Sequence, residues 1–198
     1  MTDSQKRLAQ QIEFIVESDK LKGVLRRTRP IGLDRMENSA EHSWQIILMA
    51  MTLAEHSNVK VDLLRVIKML AIHDCVEIDV GDTFHYAKAA DVDLYEKELA
   101  AARRVFGILP DDQSAEYLAL WEEFEAKETP EARFATAVDR VVAFLMNRGN
   151  DFGTWTEHAI SPEMIREKNS HVADGSREIW EYALKVVDEY QTGFSPAS

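Results

Sequence analysis

Asp62-Leu-Leu-Arg-Val-Ile-Lys-Met-Leu-Ala-Ile-His-Asp-Cys-Val-Glu-Ile78 is the stretch on which the fold turns. Asp62 is a side chain able to accept from the free amides of a helix start. Leu63, Val66, Ile67, Leu70 and Ala71 recur at the three- and four-residue spacing of one helical face. Gly81 is a stop signal, and the polar loop Asp82-Thr-Phe-His85 follows it. The spacing predicts a helix from Leu63 to Ile78. Upstream, Asn38 with Glu41 three residues on has the form of a capping box. The run Trp44-Gln-Ile-Ile-Leu-Met-Ala-Met-Thr-Leu-Ala54 is apolar almost all round, which predicts a central, buried helix. Met49, Met51 and Met69 read as core filler. Leu8, Ile12, Ile15 and Val16 carry helical spacing through residues 5–18, and further helices are expected over 91–106, 111–127, 130–147, 162–169 and 175–191. No stretch sustains a two-residue alternation, so the expected class is all-α.

The chain has 198 residues, 45% apolar and 29% charged, with eight Gly and five Pro. That is globular composition with few breakers. Without internal repeats, low-complexity tracts or Gly/Ser linkers, residues 1–198 read as a single domain, with a core of about 20–150 and C-terminal helices 151–191 packed on it. Twenty-three Lys and Arg against 35 Asp and Glu give a formal net charge of −12. Such a chain repels polyanions, which argues against a nucleic-acid polymer or an anionic membrane as partner. The polar N-terminus, the single Cys75 and the short apolar runs lead us to expect a soluble, cytoplasmic protein. Cys75 reads as packed rather than liganded.

Against this background some residues are out of place. His42 falls in the first turn of the central helix, and His73-Asp74 interrupts the apolar face of the next. On a regular helix Asp74 lies about 100° and Glu77 about 40° from His73, so three ionisable groups share one sector. Asp139 lies on or beside the stripe Phe134, Val138, Val142 and Leu145. Buried charges of this kind require partners or a cation. Each residue alone has an ordinary reading, and Arg140 is at hand to pair with Asp139. Together, two imidazoles and two carboxylates suit Mn, Co, Zn or Fe. A second anomaly is a basic island, Lys20, Lys22, Arg26, Arg27, Arg29 and Arg35, opposed within residues 20–35 by Asp34 alone. It reads either as a solvated loop or as an anion site.

The order His42, His73-Asp74, Asp139 resembles the HD superfamily of metal-dependent phosphohydrolases. The phrases Arg35-Met-Glu-Asn-Ser-Ala-Glu-His42-Ser-Trp44 and His73-Asp-Cys-Val-Glu77-Ile-Asp-Val-Gly-Asp82 are similar to its branch of bacterial and eukaryotic 5′-deoxynucleotidases. The likeness runs on through Pro130 to Asn147 and is looser after residue 150. It implies a helical bundle in which His42, His73, Asp74 and Asp139 bind one divalent metal (Mn, Co, Zn, Fe or Mg) among the central helices. It implies catalytic roles for Glu77 and Asp82, Glu77 on the water and Asp82 on either the sugar or the water. A phosphate-binding arginine upstream of the first His maps best onto Arg26, with Arg27 as the alternative. His85 lies in the loop that contacts the nucleoside in the resembling enzymes.

The implied activity is hydrolysis of nucleoside 5′-monophosphates to nucleoside and phosphate. A small-molecule nucleotide is then the partner, and a homodimer is a further expectation. The bacterial enzymes carry a Trp directly after the phosphate-binding arginine, where this chain has Arg27 or Thr28, so weaker preference for deoxyribose is expected. The rival readings are a phosphodiesterase acting on a cyclic or other signalling nucleotide, which lacks support from extra His ligands, and a non-catalytic nucleotide-sensing protein on the same fold.

Overall fold

Helix starts follow the local chemistry. Thr2 with Gln5 and Asn38 with Glu41 form reciprocal capping boxes, while Asp62, Thr129 and Ser161 each accept from amides of the turn they precede. In the computed structural model, which describes residues 1–86 and 93–193, these starts open α1 (Asp3–Ser18), α2 (Ser39–Leu53), α3 (Leu63–Ile72), α7 (Pro130–Gly149) and α9 (Pro162–Asn169). Between and after them lie α4 (Glu77–Val80), α5 (Leu94–Phe106), α6 (Asp111–Ala126), α8 (Gly153–Glu157), α10 (Val172–Gly175) and α11 (Arg177–Gly193). The first two residues of the helix expected over 91–106 lie outside the described residues. Among the described residues the chain is all-helical apart from one isolated bridge, Leu25 with Asn38. No helix there is long and apolar enough to cross a membrane.

α7 is the axis of the bundle. It packs against α2, α3, α6, α10 and α11, and Phe134, Val138, Val142 and Phe144 are buried along it. Each such side chain contributes roughly 1.5–3 kcal/mol on burial. α10 lies so close to α7 that a Cβ on Gly175 would stand 2.2 Å from the Arg133 carbonyl oxygen. Cys75 and Met69 are core residues, as expected.

Two expectations fail. The helix expected from Leu63 to Ile78 breaks at His73: residues His73–Val76 form a tighter 3-10 turn before α4. The His73 ring donates from Nδ1 to the Leu70 carbonyl at 3.0 Å, a local bond that periodicity does not encode. Next, α2 is not buried all round. Ile46 and Ala50 are in the core, but Trp44 is 65% exposed, Leu48 49% and Met51 55%, so Met51 is not core filler. One face of α2 meets α3 and α7, and its opposite apolar face has no element against it among the described residues. The helix expected over residues 5–18 forms as α1; its Leu8, Ile12, Ile15 and Val16 are exposed, and Phe14 anchors it against Phe106 and Tyr117.

Candidate active site

His42 stands in the first turn of α2, His73 and Asp74 in the 3-10 turn after α3, and Asp139 midway along α7; all four are buried. His42 Nε2 lies 2.9 Å from Asp139 Oδ1. His73 Nε2 lies 2.9 Å from Asp74 Oδ1 and 3.7 Å from Asp139 Oδ1. Donor atoms of His42, His73 and Asp139 fall within 4.8 Å of one another, close enough to share one cation. Asp74 borders this trio: its Oδ2 accepts from Arg26 Nη1 at 2.8 Å and stands 3.9 Å from His42 Nε2.

The donor set fits a divalent transition metal. The Nδ1 bond to Leu70 leaves His73 Nε2 turned toward the carboxylates, as a hydrogen bond behind a ligating histidine does. His73 Nε2, which faces the Asp74 and Asp139 carboxylates, is buried without a well-formed hydrogen bond. Such atoms are uncommon in folded proteins. Burial, with Arg26 nearby, pulls the His42 imidazole down. Burial acts the same way on His73, but Asp74 and Asp139 outweigh it and carry that ring to about 10. Burial opposes ionisation of both aspartates. His73 and Arg26 nevertheless hold Asp74 low, and Arg140 with the two histidines holds Asp139 low. The carboxylates of Asp74 and Asp139 thus make surroundings that favour positive charge, the setting a bound cation would meet.

Glu77 opens α4, accepts from Ser39 Oγ at 2.5 Å and stands 3.7 Å from Arg26 Nη1; Asp82 stands 3.6 Å from the same nitrogen. Burial, then Asp74, raises the Glu77 carboxyl to about 8, and burial raises Asp82. Gly81, at φ +75°, makes the turn that sends Asp82–His85 along the cavity. Arg26 arrives from far upstream because its backbone N–H bonds the Glu37 carbonyl at 2.9 Å, beside the Leu25–Asn38 bridge. The rest of the basic island is mostly surface: Lys20 pairs with Glu17, Lys22 with Asp19, Arg29 with Glu157 and Arg35 with Glu41. Arg27 is exposed at the cavity rim; its carbonyl accepts from Thr154 Oγ1 at 3.3 Å, and its side chain makes no hydrogen bond or ion pair among the described residues.

These groups line one cavity of about 550 Å³. Its wall includes every expected site residue except His42, which lies behind Asp139. Sequence reasoning missed several others. Phe84 and Tyr86 flank His85 and pack edge to face, with centroids 5.7 Å apart. Asn147 of α7 joins the wall, and Trp155, Lys168 and Asn169 bring the C-terminal helices into it, where Asn169 donates to the Tyr86 hydroxyl at 3.0 Å. Left-handed Asp151 and Phe152 reverse the chain after α7 and return Trp155 to the cavity. Glu98 and Glu125 line a further side, and Glu37 lies buried behind Arg26 and His42. Arg140 was read only as a partner for Asp139, yet it lines the cavity too. The available signals were aromatic residues beside His85 and an arginine inside an apolar stripe.

The HD domain family model matches residues 18–180. A Xenopus laevis protein named 5′-deoxynucleotidase HDDC2 is 29% identical over 182 residues, covering 80% of this chain and 89% of its own. The Homo sapiens protein of that name is 26% identical over 126 residues, covering 61% and 60%. A Magnetospirillum magnetotacticum crystal structure, described as a predicted metal-dependent phosphohydrolase, superposes with a TM-score of 0.92 at 45% identity, covering 98% of this chain and 99% of that one. With the match spanning most of the chain and the histidine–carboxylate cluster at its centre, the protein is a hydrolase of the HD-domain family.

Proposed function

We propose that the chain hydrolyses nucleoside 5′-monophosphates to nucleoside and inorganic phosphate, with one divalent metal held by His42, His73, Asp74 and Asp139. The observation that carries this reading is one cavity with two kinds of lining residue. Histidines, carboxylates and arginines line it together with the aromatic rings of Phe84, Tyr86 and Trp155. Charged groups suit a phosphate dianion, and aromatic faces suit a nucleoside. The relatives named 5′-deoxynucleotidase HDDC2 support the same substrate class.

When bound, a divalent cation supplies Lewis acidity toward a phosphoryl oxygen and lowers the pKa of water from 15.7 toward ~7. Glu77 sits next to the ligands and takes the proton from the attacking water, whose oxygen bonds phosphorus as the P–O bond to the nucleoside breaks, and that proton passes to the leaving 5′-oxygen. Ser39 orients that carboxylate through its 2.5 Å hydrogen bond. Arg26, or Arg27 in its place, neutralises charge on the phosphoryl oxygens. Asp82 hydrogen-bonds the sugar or positions the water, and His85 contacts the nucleoside. Arg27 stands where the resembling bacterial enzymes place a Trp, so selection of deoxyribose over ribose should be weak.

The test is phosphate release from all ribo- and deoxyribonucleoside monophosphates by metal-reconstituted protein, with the His73→Ala, Asp74→Ala double variant beside it. We expect turnover of dAMP and AMP at comparable kcat/KM, absent from the variant. No release from any nucleotide would sink the substrate assignment. Strong preference for dAMP would sink the argument about the sugar.

A further inference from the structure

The cavity holds a cation to which the reading above gives no task. Arg140 follows Asp139 on α7, in a segment whose neighbours Val138, Val141 and Val142 are buried, and its side chain is 28% exposed, into the cavity wall. A guanidinium in such surroundings is costly unless its charge and its five N–H donors are met. Among the described residues Arg140 meets one group, Asp139 Oδ2, at 3.1 Å, and that oxygen has no well-formed hydrogen bond. The other cavity cations are differently placed. Arg26 stands within 4 Å of four carboxylates, those of Glu37, Asp74, Glu77 and Asp82. Lys168 donates to the His85 carbonyl at 3.0 Å. Arg27 sits at the rim.

Asp139 has a divided geometry. Its Oδ1 faces His42 and His73, and its Oδ2 faces Arg140. The guanidinium thus lies one carboxylate away from the donor atoms of the candidate metal site, with its remaining N–H groups unengaged. Its charge also acts on Asp82, His85 and Tyr86, the loop that forms another wall. A tetrahedral anion seated at the histidine–carboxylate cluster would come within reach of that fork.

We propose that Arg140 is a further phosphoryl-binding residue of this site, beside the arginine at residue 26 or 27: it grips two oxygens of the phosphate by its guanidinium fork. The proposal rests on the phosphomonoesterase reading only for the substrate that delivers the phosphate. The anion subsite itself is a property of the chain. Bidentate recognition of phosphate is the role to which the planar guanidinium fork is suited, and a lysine ammonium supplies the charge without the fork.

The experiment is a calorimetric titration of inorganic phosphate into manganese-loaded protein, for wild type, Arg140→Gln and Arg140→Lys, with metal content measured on each sample. We expect Arg140→Gln to keep its metal and to bind phosphate at least about tenfold more weakly. Arg140→Lys should fall between the two. If Arg140→Gln does not fold, Arg140→Lys decides alone, and wild-type affinity in it overturns the proposal. Wild-type phosphate affinity in Arg140→Gln overturns it as well. So does loss of metal in step with loss of phosphate, which would make Arg140 a positioning residue for Asp139. A protein that binds phosphate through Arg140 yet hydrolyses no nucleotide would retain this subsite and lose the proposed substrate.

Discussion

Glu37 is 1% exposed, and burial raises its carboxyl to about 7 although Thr28 Oγ1 donates to it at 2.8 Å and Arg26 Nε stands 3.7 Å away. A group whose folded pKa lies above its unfolded value of 4.5 contributes stability that is complete below pH 4.5 and is lost as pH rises through 7. Glu37→Gln, which keeps an acceptor for Thr28, should therefore match wild type at pH 4 and exceed it at pH 8 by at most about 3 kcal/mol. Urea unfolding at the two pH values checks this. A variant less stable than wild type at pH 8 would mean that the ionised Glu37 is needed by Arg26 and His42. Local bonds also decide the reactive geometry: the Leu70 carbonyl sets the face His73 presents, and the Ser39 hydroxyl sets that of Glu77.

At the scale of elements, α2 separates burial from hydrophobicity. Trp44, Leu48 and Met51 follow one another at helical spacing on the exposed side, and Ile46 and Ala50 occupy the buried side. Ile46→Ala should cost about 2–5 kcal/mol because it leaves a cavity against α3 and α7. Trp44→Ala, though it removes a larger side chain, should change stability by no more than about 0.5 kcal/mol. Thermal melts followed by circular dichroism give the ranking, and the reverse order would show that the Trp44 face is covered in solution. The break between α3 and α4 has a comparable lesson. A straight helix would bring Glu77 round by fixed steps of rotation, whereas the 3-10 turn at His73–Val76 resets the angle and carries Glu77 to Ser39 and Arg26.

At the scale of the whole molecule, the site is assembled from chain positions 26 to 169, and buried like charges meet at its centre. Such a cluster should gain stability from a bound cation, by about 2.7 kcal/mol at one hundred times the dissociation constant. For a chain of this length that corresponds to a fall of roughly 5–10 °C in melting temperature on chelation. We expect that fall for wild type, reversal by added Mn²⁺, and no response in the His73→Ala, Asp74→Ala variant. Scanning calorimetry with and without chelator, on samples of measured metal content, checks it. An unchanged melt after proven metal loss would remove the metal from the site.

Local chemistry along the chain is enough to mark where helices start and which ionisable residues stand out. Asn38, Asp62 and Pro130 mark their helix starts through bonds spanning a few residues, and His42, His73-Asp74 and Asp139 stand out because charges interrupt apolar faces. Both signals are local, so a linear reading recovers them. Packing between distant elements sets which face of α2 is buried, where the helix after Asp62 breaks, and that Arg26 is enclosed while Arg27 stays at the rim. It also decides that Asn147, Trp155 and Lys168 wall the same cavity as Asp82, and that Arg140 keeps its donors open toward it. Those outcomes depend on which distant elements pack together. Packing energy belongs to pairs of surfaces, and hydrophobic spacing along one helix says what can be buried but not what arrives to bury it.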